Sequence, residues 1–162
     1  MKPDKPHHSI ESRNADGYSL VEMLIVVAII GIVAALAVPR YVHMLHSAKI
    51  TVAEGDIRQI SSAIDVYRST MGIYPDSLEE VGLGDKADPW GRSYQYRDLT
   101  ADKQKAKGHA RKDKNLVPIN SDYDLYSVGE DGKSSPPLTA NPSHDDIIRA
   151  NNGGFIGLAT DY

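Results

Sequence analysis

The apolar run from Leu20 to Val38, inside GYSLVEMLIVVAIIGIVAALAVP at positions 17–39, restricts the fold more than any other feature of the chain. It spans about 19 residues, close to the ~20 that cross ~30 Å of hydrocarbon at 1.5 Å per residue. It is too long for the apolar core of a secretory signal, and no small-residue cleavage site follows it. A buried core helix is the competing reading. The β-branched residues cost little helix propensity in lipid, which offers the backbone no other hydrogen-bond partner. Pro39 lacks an amide proton and disfavours a helical residue before it, so a kink or break is expected there.

Glu22 lies near the start of this run. A charged carboxylate well inside a bilayer costs at least ~2–3 kcal/mol, and such groups usually have a partner. No residue from Tyr18 to Val38 carries a positive charge. The partner is therefore a cation from another chain, or an amine absent from the uncut sequence. Cutting after Gly17 would create an α-amino group four residues from Glu22. The alternative is a Glu22 side chain that reaches back to the headgroups.

Of the 162 residues, roughly 120 remain outside the leader and the run, one small domain's worth. The formal charge of −4 argues against nucleic-acid binding by the surface as a whole. Without cysteine there is no disulfide framework and no thiolate ligand or nucleophile. One Phe and one Trp against nine Tyr suggest a modest core with amphipathic aromatics near its edge.

Beyond Pro39 the pattern becomes amphipathic. Ile57, Ile60, Ile64, Tyr67 and Met71 recur at spacings of three and four, one apolar stripe on a helix that Gly72 closes. Continuous from near Tyr18 to Met71, that helix would be ~80 Å long, and no small domain buries such a length. A short helix is expected at Ser77–Val81, a turn at Asp88–Gly91, and alternating strands at Ser93–Arg97 and Tyr123–Val128. The expected class is α+β, with a long N-terminal helix on a small antiparallel sheet.

The N-terminal stretch resembles that of type IV pilin-like precursors. The resemblance implies cleavage by a prepilin peptidase between Gly17 and Tyr18, N-methylation of Tyr18, and a role for Glu22 as the acid that pairs with a neighbouring subunit's N-terminal amine. Tyr18 stands where that family usually has Phe, and Asp16 where Lys or Arg is common. GIYP, DPWGRSYQY and YDLYSVGEDG, at 72–75, 88–96 and 123–132, are similar to segments of the major pseudopilins of type II secretion systems. The implied organisation is a leader at 1–17, a transmembrane half-helix at 18–39 and a periplasmic domain at 40–162. Implied partners are further copies of the chain, minor pseudopilins, the inner-membrane secretion platform and the peptidase.

Asp131, Asp145 and Asp146, with the carbonyls of a Gly- and Pro-rich loop, are the oxygen donors that calcium takes. Asp131 could equally be the Asp-Gly of a hairpin turn, and Asp145 or Asp146 the cap of a helix at Ile147–Ala150. The pseudopilin resemblance implies a structural calcium ion on Asp131, Asp145 and Asp146 and on the carbonyls of Val128 and Lys133.

The basic run Lys103, Lys105, Lys107, Arg111, Lys112 and Lys114 has no aromatic among its charges, as stacking on single-stranded nucleic acid requires. It reads as a solvated insertion at 100–117. His43 and His46, three apart on a helix, do not make a metal site alone. No nucleophile elbow or phosphate loop occurs, and no enzyme is expected. The leading expectation is a structural subunit of a secretion filament that exports folded proteins through the outer membrane. A type IV pilus subunit for adhesion, motility or DNA uptake is the first alternative, and a membrane-anchored periplasmic binding module the second.

Overall fold

The computed structural model of the chain describes residues 17–101, 108–114 and 116–162. The leader up to Asp16, and Lys103, Lys105 and Lys107, lie outside the described residues. One helix, α1, runs from Leu20 to Met71 over 52 residues. It passes through Pro39 without interruption, so the break expected there does not occur. A proline removes one helical hydrogen bond, and transmembrane helices accommodate that loss. Every residue from 17 to 42 is exposed, as suits a stretch whose solvent is lipid or its own kind. Gly72 ends α1 with φ +79°, and its amide donates to the Arg68 carbonyl at 2.8 Å.

His43–Tyr162 form a compact unit of their own. Its sheet is antiparallel, in the order β1 (Gln95–Asp98), β2 (Tyr123–Ser127), β3 (Ile147–Ala150), β4 (Phe155–Leu158). β1 pairs with β2 from Gln95–Tyr126 to Asp98–Tyr123, and β3 with β4 from Ile147–Leu158 to Ala150–Phe155. The expected Ser93–Arg97 strand begins later; Ser93 instead bridges to Ala87 across the Asp88–Arg92 turn. A 3-10 turn at Leu78–Val81 occupies the place of the short helix.

The segment Ile147–Ala150 is a strand and not the helix considered in the sequence reading. All four of its residues are buried, because the sheet is covered on both faces. A strand with two buried faces loses the polar alternation that marks a half-exposed one. On one face, Ala53, Ile57, Ile60 and Ile64 of α1 pack with Tyr74, Tyr123, Leu125 and Ile147. Each large apolar side chain so buried contributes roughly 1.5–3 kcal/mol. The stripe stops at Ile64: Tyr67 is half-buried and Met71 is 62% exposed. On the opposite face, Ile148 and Ala150 pack with Ile119, Leu138 and Ala159. Tyrosines therefore enter the core outright; Tyr123 is fully buried and meets Tyr74 edge-on at 5.5 Å.

Candidate functional site

Two places carry the residues that the sequence singled out. The first is the start of α1. The Ser19 amide donates to Glu22 Oε2 at 2.8 Å, and the Glu22 amide donates to Ser19 Oγ at 3.2 Å. This reciprocal capping box satisfies two of the amides that a helix end leaves without partners. The carboxylate also lies at the positive end of the helix dipole. Glu22 is therefore hydrogen-bonded within a single chain, which a search for charged partners overlooks, although Ser-x-x-Glu in the sequence signals it. The cap supplies no formal positive charge. Gly17 and Tyr18 precede the helix and are exposed.

The second place is the end of the sheet where β2 passes into the loop before β3. The DPWGR segment, Asp88–Arg92, builds its floor. Asp88 is buried, and its Oδ1 accepts from the Trp90 amide at 3.0 Å and the Arg92 amide at 2.9 Å. Its Oδ2 accepts from the Ser127 hydroxyl at the end of β2. The Gly91 amide closes the turn on the Asp88 carbonyl at 2.9 Å. Arg92 then reaches the following turn, donating from Nη1 to the Gly129 carbonyl at 2.5 Å and from Nη2 to the Glu130 carbonyl at 3.1 Å. Two motifs almost forty positions apart in sequence are thus one structural device.

Gly129 makes the loop's return possible. Its φ is +63°, and a Cβ there would sit 2.2 Å from the Asp145 carbonyl oxygen. The close approach lets Asp145 Oδ2 accept from the Asp131 amide at 2.7 Å, while Asp131 Oδ1 accepts from the Lys133 amide at 2.7 Å. Asp131 is exposed, Asp145 half-buried and Asp146 buried. Asp146 is bonded elsewhere: its Oδ2 accepts from Arg111 Nη2 at 2.5 Å and from the Ser134 hydroxyl at 2.6 Å. Burial pushes the Asp146 carboxyl up, and the Arg111 charge and Ser134 hydroxyl work against that rise.

The donor set implied by resemblance is thus only partly drawn together. The Asp145 carboxylate accepts from the Asp131 backbone amide, while the Asp131 carboxylate turns to the Lys133 amide and Asp146 is paired with a cation of the chain itself. Its remaining oxygen, Oδ1, is buried without a hydrogen-bond partner, but the Arg111 guanidinium already held by Oδ2 would repel a second cation beside it. Among the described residues, no three His, Cys, Asp or Glu side chains are grouped to hold a metal. As arranged, these residues do not fit a calcium ion.

Arg111 also corrects the solvated-insertion reading. The described part of that segment is not solvated throughout: Ala110 and Arg111 are buried. His46 faces Glu130 at 3.2 Å between Nδ1 and Oε2, which ties α1 to the loop.

Residues 12–38 match the family model described as the prokaryotic N-terminal methylation motif. The chain is 32% identical over 146 residues to the type II secretion system core protein G of Pseudomonas aeruginosa, covering 76% of this chain and 89% of that protein. The protein of the same name from Klebsiella pneumoniae is 28% identical over 142 residues, covering 81% of this chain and 91% of its own length. The type IV major pilin protein PilA of Myxococcus xanthus is 33% identical over 81 residues, covering 50% of this chain and 36% of the pilin. No solved structure gives a significant match.

Proposed function

Because this chain belongs to the type II secretion system core protein G family, we propose that it is the repeating subunit of a periplasmic pseudopilus. The observation that carries this is the extent of the similarity. It reaches over 89% of the Pseudomonas protein, while the Myxococcus pilin is matched over 36% of its length. A helical N-terminus of this kind is common to pilin-like proteins, so its presence alone would not favour secretion over a pilus.

In this function residues 1–17 are removed by prepilin peptidase after Gly17, and Tyr18 becomes the methylated N-terminus. Residues 18–39 hold the subunit in the inner membrane, with 40–162 in the periplasm. Assembly moves the exposed apolar residues of α1 from lipid to contact with neighbouring copies. Glu22 then receives a positive charge from a neighbour's new α-amino group, beyond the hydrogen bonds of its own cap. One head-to-tail interface, repeated, yields a helical filament without closure. Minor pseudopilins and the inner-membrane platform would start and drive growth, and the filament would move folded proteins toward the outer membrane. The role is structural and needs no catalytic site.

Gly17→Ala tests this against a simple membrane anchor. The filament subunit is expected to remain full-length in the membrane and to lose function. A full-length variant that supports normal export would overturn the filament function.

A further inference from the structure

Arg111 belongs to the basic run, yet it is 3% exposed. Its Nη1 donates to the Ser134 hydroxyl and, at 2.9 Å, to the Ser135 carbonyl, while Nη2 holds Asp146 at 2.5 Å. The guanidinium carbon lies 4.4 Å from the centre of the Tyr126 ring, and the Arg111 amide donates to Asp124 Oδ2 at 2.7 Å. The adjoining backbone is fixed as well: the Lys112 amide donates to the Pro136 carbonyl at 3.0 Å, and the Leu138 amide to the Lys112 carbonyl at 2.9 Å. At the other end of the same loop, Arg92 holds the Gly129 and Glu130 carbonyls. The long connection between β2 and β3 is gathered at both ends by a guanidinium group.

We infer that Arg111, assisted by Arg92, is the cation that closes this loop, so that the chain folds it without calcium. A fixed positive charge on Asp146 neutralises one of the three acids that a divalent ion would need. An ion entering beside it would meet like charge at short range. Arginine suits the position because its planar fork bonds two acceptors at once, is always charged, and stacks on an aromatic ring. The outer layer of the sheet then stays formed in a calcium-poor medium. This inference does not depend on which filament the chain builds.

The test uses the full chain in detergent micelles. Calcium retention is measured by equilibrium dialysis against radioactive calcium, and melting by near-ultraviolet circular dichroism in millimolar calcium or in EGTA. The wild-type chain is expected to retain no stoichiometric calcium and to melt at the same temperature in both media. Arg111→Gln is expected to melt lower, with amides of residues 134–146 exchanging hydrogen at least tenfold faster. Arg111→Lys should recover only part of that loss. Stoichiometric calcium on the wild-type chain, with a melting rise that Asp131→Ala abolishes, would overturn the inference. So would an Arg111→Gln chain that melts like the wild type. Should Arg111→Gln fail to fold, calcium retention by the wild-type chain decides alone.

Discussion

Ser19 and Glu22 each accept a hydrogen bond from the other's backbone amide, at 3.2 Å and 2.8 Å. The same carboxylate thus starts the helix in one chain and is proposed to receive a charge from the next. Glu22→Gln separates these roles, because glutamine serves a capping box as well as glutamate does. The variant is expected to insert and be cut normally, while pelletable filaments fall on the order of tenfold or more, as suits the loss of a charge pair in a poorly hydrated site. Normal filaments from Glu22→Gln, with impaired ones from Ser19→Ala, would assign Glu22 to the cap alone.

The apolar stripe of α1 ends sooner than its spacing suggests. Ile60 is fully buried, while Met71 is 62% exposed. In urea unfolding of the chain in micelles, Ile60→Ala is expected to destabilise the domain by about 2–5 kcal/mol. Met71→Ala should stay within about 0.5 kcal/mol of the wild type. Equal losses at both positions would contradict this packing.

Burial pushes the phenols of Tyr94 and Tyr96 well up; the hydrogen bond and charge of Asp56 add to the rise at Tyr94, and the Asp98 charge adds to it at Tyr96. Tyr94 donates to Asp56 Oδ2 at 2.9 Å. The folded state keeps protons that an unfolded tyrosine releases near pH ~10. The stability linked to these phenols is therefore complete below about pH 10 and lost progressively as the pH climbs above it. Melting temperature should begin to fall there, and Tyr94→Phe should flatten part of that slope. An unchanged slope in Tyr94→Phe would contradict the assignment.

Much of this was legible before any coordinates. Hydropathy marks the exposed apolar half of α1, three-and-four spacing the buried isoleucines, and Gly72 the helix end. Turn chemistry located Asp88–Gly91, and alternation located β2. What escaped depends on contacts distant in sequence. β3 has both faces covered, and its one polar residue, Arg149, is itself buried against Asp122, so no polar and apolar alternation marks Ile147–Ala150 as a strand. Arg111 reads as one more charge in a basic run until Asp146 and Tyr126 close around it. The capping box is local, and Ser19-x-x-Glu22 signals it, but the missing positive charge around Glu22 draws attention away from the backbone amides that its carboxylate can serve. The three acids lie on one connection, yet only folding shows that Asp146 turns to Arg111 while the Asp145 carboxylate takes the Asp131 amide.

The decisive measurement for the function is an in-frame deletion, with culture supernatant, periplasm and surface filaments compared side by side. A pseudopilus subunit predicts exoproteins trapped in the periplasm while surface pili persist, with secretion restored by the intact gene. Intact secretion together with the loss of surface pili would contradict it and place the chain in a type IV pilus.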